Sequence, residues 1–133
     1  MRCSDFYDST SAYAPQSLAS STAATTAYIS AAAVGEIEFN VHMANLASGK
    51  TLKVEVFGAT DSTGTGATSL GTKTFTVSSA TPGYIARISV TPYPAYSHYA
   101  LKITHTNGSA TVVGVEVLTE PMYAPGDGAG LII

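Results

Sequence analysis

The chain has no tryptophan, one cysteine and few charged side chains. Only 11% of its 133 residues are Asp, Glu, Lys or Arg, less than half of the roughly 25% that is typical of globular domains. Nearly half of the residues are instead Ala, Ser, Thr or Gly. Such a surface is easily buried against a partner, because burying a hydroxyl costs much less free energy than burying a charge.

These absences exclude several classes of protein. Cys3 has no second cysteine to pair with, so neither an internal disulfide nor a Cys-X-X-Cys metal site is possible. The net charge is −3 and the six basic residues are scattered, which argues against direct nucleic-acid binding. No run of about 18 apolar residues is present, so we expect no membrane-spanning helix. Acidic residues near the N-terminus predict that no secretory signal is used.

The centre of the chain, residues 36–118, predicts a series of short β-strands. Apolar and polar residues alternate in EIEFNVHM (36–43), the period-two pattern of a half-buried strand, and further segments repeat this pattern. A short strand within residues 27–33 precedes them, and Asn107-Gly108 predicts a tight hairpin. No amphipathic helix interrupts the series. We therefore predict an all-β fold, an antiparallel β-sandwich or barrel of seven to eight strands.

The flanking regions lack this alternation. We predict an extended N-terminal arm over residues 1–26, docked on a neighbour or loosely held as an edge segment, since Pro15 and many Ser and Thr residues disfavour a helix. The sandwich domain is predicted over 27–119 and a C-terminal tail over 120–133. The large apolar residues in these flanks include Phe6, Tyr7, Tyr13, Leu131, Ile132 and Ile133.

Two loops resemble phosphate or metal sites without completing either pattern. SGKT at 48–51 ends like a phosphate-binding loop, but Ala44 stands where that pattern needs glycine and a strand follows instead of a helix. We predict a hairpin turn in which Gly49 supplies an unusual φ. The Gly/Thr-rich loop at 61–68 holds a single carboxylate, Asp61, whereas calcium sites use several.

Catalytic and metal-binding groups are also sparse. His42, His98 and His105 could converge as zinc ligands only across three strands, and we expect them instead on partly solvated strand surfaces. Glu38 and Glu116 could share one face, as the two carboxylates of a glycosidase do. Because no nucleophile, base and orienting group occur together, we expect no enzymatic activity, no metal and no cofactor.

The aromatic residues around the proline-rich loop 92–97 favour binding rather than catalysis. Tyr93, Tyr96 and Tyr99 are closely spaced there. Tyrosine is enriched at protein interfaces, and its ring also stacks on sugars. Together with the small-residue flanks, the cluster favours a protein interface.

Several segments resemble a known family, the small decoration or cement proteins of tailed-bacteriophage capsids. They are SLASSTAATTAYI (17–29), SGKTLKVEVFGATDSTGTGATSLGT (48–72), YIARISV (84–90) and YALKIT (99–104). Members of this family are β-sandwich or jelly-roll trimers on the threefold and quasi-threefold axes of the capsid. The resemblance implies an antiparallel β-sandwich or jelly roll, and a virion structural protein without catalytic residues. It would be made in the host cytoplasm and placed on the outer capsid surface, bound to the major capsid protein and stabilising the head as a homotrimer.

The resemblance and the composition together predict which residues contact partners. Two alternatives to a capsid decoration protein remain open at this point. One is a tail or baseplate module, and the other is a carbohydrate-binding module that would need Tyr93, Tyr96 and Tyr99 to be exposed and coplanar. The predicted partner contacts are Phe6, Tyr7, Tyr13, Tyr93, Tyr96, Leu131, Ile132 and Ile133.

Overall fold

The computed structural model describes residues 7–122. These residues form two antiparallel sheets that pack face to face. No helix that is long and apolar enough to cross a membrane occurs among these residues. The nine strands are β1 (Asp8–Leu18), β2 (Ala24–Thr25), β3 (Ile29–Ser30), β4 (Val34–Leu46), β5 (Thr51–Ala59), β6 (Thr68–Thr76), β7 (Thr81–Val90), β8 (His98–His105) and β9 (Thr111–Pro121).

The strand order is that of a jelly roll. One sheet, sheet A, has the order β1-β9-β4-β7, and the other, sheet B, has the order β2-β8-β5-β6 with β3 also paired to β8. If β2 and β3 are counted as one interrupted strand, eight strands remain, and the first pairs with the last, the second with the seventh, the third with the sixth and the fourth with the fifth. This nested pairing is the jelly-roll arrangement, and it confirms the predicted fold class.

The core lies between the sheets and follows the period-two alternation of the sequence. Sheet A contributes Ile37, Phe39, Val41 and Met43 from β4, all fully buried. Alternating residues of β9 in sheet A and of β8 in sheet B also enter the core, because successive side chains of a strand point to opposite faces. These further core residues are Val113, Val115, Val117, Tyr99, Leu101 and Ile103.

The sandwich begins at Asp8 rather than at residue 27. β1 lies within the predicted N-terminal arm, yet it pairs with β9 from Asp8↔Thr119 to Leu18↔Thr111. Ala12 and Leu18 of this strand are buried in the core. The register shifts twice, between Ser11 and Tyr13 and again between Tyr13 and Gln16, and these bulges remove the alternation by which strands are predicted from sequence.

The hairpin predicted at Asn107-Gly108 is wrong. β8 belongs to sheet B and β9 to sheet A, so the segment crosses between sheets. Asn107 is buried, and its side chain accepts a hydrogen bond from Ala47 N (3.0 Å) and donates one to Asn45 O (2.8 Å). The asparagine therefore joins two crossing loops instead of shaping a two-residue turn. The hairpin turn predicted at 47–50 is also wrong, because the segment leads from β4 in sheet A to β5 in sheet B. Gly49 nevertheless has the predicted unusual φ, +70°.

Candidate partner-contact surface

The loops of the sandwich gather at its two ends. At one end lie the crossings 19–23, 47–50, 77–80 and 106–110, which we call the asparagine end after Asn107. At the other lie the connections 31–33, 60–67 and 91–97, which we call the tyrosine end. The described chain also starts and stops there, because Asp8 pairs with Thr119 and Met122 N donates to Ala33 O (2.9 Å).

The tyrosine end carries exposed apolar side chains. Tyr7, Tyr93 and Met122 lie there, and they are among the large hydrophobic residues that remain exposed in the part of the chain the structure describes. A shallow apolar depression beside Tyr93 is lined by Ala31, Ala32, Pro92, Pro94 and Tyr96, among others. Exposed apolar surface next to polar loops is typical of a protein-interaction site.

A fully buried residue, Tyr99, holds the 91–97 loop. The Tyr99 hydroxyl accepts a hydrogen bond from Tyr93 N (3.0 Å) and donates one to Tyr93 O (3.3 Å). The Tyr96 ring lies edge-to-face against Tyr93 (5.3 Å between centroids, 81°) and against Tyr99 (6.4 Å, 74°). The rings are therefore neither coplanar nor all exposed, and they do not form the flat platform that the sugar-stacking alternative required.

Close packing against β5 determines where Tyr96 sits. A Cβ placed on Gly58 would lie 2.6 Å from the Tyr96 ring, so the ring lies directly on the glycine backbone. No sequence pattern indicates this contact, because Gly58 and Tyr96 are far apart along the chain. The loop is also tied by Ser97, whose N donates to Ala59 O (3.0 Å) and whose hydroxyl donates to Thr60 O (2.9 Å).

We expect Gly58→Ala to destabilise the fold by about 1–3 kcal/mol, because the added methyl overlaps the Tyr96 ring and forces the loop to shift. Gly71→Ala is the matched control, since a Cβ at Gly71 meets no atom within 4 Å and its φ is ordinary. The measurement is urea unfolding of both variants. Equal midpoints for the two would show that Gly58 does not position the loop.

Hydrogen bonding and partial desolvation shift the pKa values of two side chains at this end, Asp61 and Tyr93. Hydrogen bonds from the Thr65 hydroxyl and amide, and from Thr63, hold the pKa of Asp61 well below its usual 3.8. Partial desolvation beside Tyr96 and Tyr99 raises the pKa of Tyr93 above 10.0. The Asp61 carboxylate accepts hydrogen bonds from Thr63 N (2.9 Å) and Thr65 N (3.1 Å), and it thereby orders its own loop.

The other predicted contacts are distributed differently. Tyr13 lies half-buried on β1 and packs against the core, away from Tyr93 and Tyr96. Tyr7 adjoins β1 at the tyrosine end and is exposed. Phe6, Leu131, Ile132 and Ile133 lie outside the described residues.

The histidines do not form a metal site. Within residues 7–122 no group of three or more His, Cys, Asp or Glu side chains could hold a metal ion. The prediction that all three lie on strand surfaces is wrong for His105, which is fully buried. Its Nε2 donates to Leu18 O (2.7 Å) and its Nδ1 accepts from Asn107 N (3.2 Å), so it serves as a link between β1 and the asparagine end.

The comparisons with known proteins concern the fold. No protein-family model and no curated protein matches this sequence. A chain from the structure of infectious bursal disease virus, Gx strain, matches with a TM-score of 0.52 at 13% identity, over 92% of this chain and 33% of that one. A chain of the T13 viral particle of the same virus gives a TM-score of 0.48, also at 13% identity, over 90% of this chain and 33% of that one. This chain therefore spans about a third of the solved chains it matches.

Proposed function

We propose that this chain is a structural protein of a virus particle that binds the outside of the capsid and stabilises it. The observation that carries the proposal is the jelly-roll topology, shared over 92% of the chain with a chain from a virus structure. Jelly rolls are the usual building unit of viral capsid proteins, although they also occur in lectins and cupins. The low charge supports adhesion, because little charge must be desolvated on docking.

The proposed partner is the major capsid protein, contacted through the tyrosine end. Three exposed apolar side chains, Tyr7, Tyr93 and Met122, lie on this surface. A homotrimer would bring three such surfaces to one lattice site, and linked weak contacts add avidity without new contacts. These roles are those of a decoration, or cement, protein.

The test is binding of the full chain to particles from which it has been removed. We expect Tyr93→Ala combined with Met122→Ala to weaken binding at least about tenfold, since exposed aromatic anchors dominate such interfaces. Val112→Ala is the matched control, because Val112 is as exposed as Tyr93 (47% and 46%) but adjoins the asparagine end. If Val112→Ala lost binding while the double variant kept it, the asparagine end rather than the tyrosine end would face the capsid.

The oligomer is tested separately by sedimentation of the free and the particle-released protein. We expect three times the monomer mass in at least one of these states. A strictly monomeric species both in solution and on the particle would contradict the trimer while leaving capsid binding standing.

A further inference from the structure

A groove on the outer face of sheet A has no role in the proposed docking. It has a volume of about 660 Å³ and lies between β1 and the central strands, away from the 91–97 loop. Asn40 and His42 of β4 and Glu116 of β9 line it, on the face opposite to the buried Phe39 and Val41.

The strand register brings these polar groups side by side. Asn40 lies directly opposite Glu116, and His42 lies opposite Gly114 on one side and Ile85 on the other. Residues opposite one another in antiparallel strands have Cβ atoms about 4.5–5.5 Å apart. The groove therefore presents an amide, an imidazole and a carboxylate within the span of one small ligand.

These three side chains have unused hydrogen-bonding capacity. In the described part of the chain, none of Asn40, His42 and Glu116 has a side-chain hydrogen bond to protein, whereas other strand-face glutamates are engaged. Glu38 pairs with Arg87, Glu36 accepts from the Thr91 hydroxyl (2.9 Å), and Glu55 accepts from the Ser69 hydroxyl (2.7 Å).

The bulged strand β1 provides the wall of the groove. Pro15 lies over Gly114, where an added Cβ would come within 3.0 Å of the proline ring. Tyr13 stands beside it, and the exposed Ile85 forms part of the opposite wall. The apolar rings of Tyr13 and Pro15 next to hydrogen-bonding groups give an amphipathic surface.

We propose that this groove binds a neutral saccharide. The vicinal hydroxyls of a pyranose both donate and accept, which suits a carboxylate acceptor beside an amide and an imidazole, while its apolar C–H face packs on Tyr13 and Pro15. Glu116 is the one acidic side chain among the lining residues, and neither Lys nor Arg lines the groove, so anionic sugars are disfavoured. A peptide strand gains little here, because the backbone groups of β4 and β9 are already paired within the sheet.

This proposal does not depend on the capsid role, and NMR tests it on the isolated full chain. Amide shifts are followed while glucose, galactose, mannose, N-acetylglucosamine, lactose and maltose are added to about 50 mM, a range suited to millimolar affinity. We expect at least one of them to shift amides around Asn40, His42 and Glu116. We expect N-acetylneuraminic acid and glucose 6-phosphate to bind more weakly.

Variants show whether the groove side chains carry the binding. Asn40→Ala and Glu116→Ala are each expected to weaken it about tenfold, a loss of the size that a charge-assisted or paired hydrogen bond supplies. Glu55→Ala, on the outer face of sheet B, is the control and should bind like the unmodified chain.

Four results would show that the groove is not a saccharide site, and a fifth would overturn the neutral class. The four are the absence of groove shifts with every sugar, shifts centred on Tyr93 instead, unchanged binding by Asn40→Ala and Glu116→Ala, and groove shifts that depend on protein concentration alone. The last result would show that a second copy occupies the groove. Tighter binding of the anionic sugars would contradict the neutral class.

Discussion

Deleting residues 1–18 is expected to unfold the protein rather than to release an appendage. β1 supplies an edge strand of sheet A and buries Leu18 and Ala12. Truncating a buried leucine alone costs about 2–5 kcal/mol. The deletion also leaves the buried His105 Nε2–H without Leu18 O, at about 1–3 kcal/mol for an unpaired donor. The sum is comparable with the 5–15 kcal/mol that holds a typical domain folded.

Circular dichroism and thermal unfolding of the truncated chain check this result. Leu18→Ala should lower the stability by part of the same amount, and Gln16→Ala, an exposed change in the same strand, should leave it nearly unchanged. A detached arm over residues 1–26 predicts the opposite, a truncated chain with the same unfolding midpoint. That outcome would show that β1 is not part of the cooperative fold.

Tyr99→Ala is expected to destabilise the protein by about 3–5 kcal/mol, the range for removing a large buried aromatic side chain. Tyr99 is fully buried, and its ring touches the core on one side and Tyr96 on the other. The substitution leaves a cavity and also frees the 91–97 loop from its hydroxyl anchor. The exposed Tyr93 would then lose its fixed position at the tyrosine end.

Tyr99→Phe separates these two effects. It keeps the ring but removes the hydrogen bonds to Tyr93, so we expect a loss of only about 0.5–1.5 kcal/mol together with faster proteolysis within 91–97. Urea unfolding and limited proteolysis measure the two quantities. If Tyr99→Ala lost less than about 1 kcal/mol, the residue would not be the core anchor that its burial indicates.

The sequence alone predicts the strand faces well but the strand partners poorly. The alternation in 36–43 identified the buried side of β4 because the two-residue period is a property of the extended backbone. Pairing depends instead on contacts between distant segments. Asn107-Gly108 is a strong local hairpin signal, yet Asn107 is used to join two sheets. β1 escaped prediction as a sandwich strand because its two bulges disrupt the alternation.

The candidate surfaces also combine residues that sequence patterns predict with residues whose roles depend on contacts between distant segments. Tyr93 and Tyr96 could be selected from their spacing in a proline-rich loop, whereas the roles of Gly58 and Tyr99 in holding that loop depend on packing across strands. The groove could not be foreseen, since Asn40 and Glu116 meet only through the β4–β9 register. His105 was misplaced because a histidine at the end of an alternating strand does not reveal that its ring nitrogens are paired inside.

Cryo-electron microscopy of virus particles assembled in cells that produce this chain tests the central claim most directly. We predict density for this jelly roll on the outer capsid surface, in threefold groups, with Tyr93 and Met122 facing the capsid lattice and the sheet A groove open to solvent. Absence of the chain from the particles, or its location in a tail structure, would contradict the account.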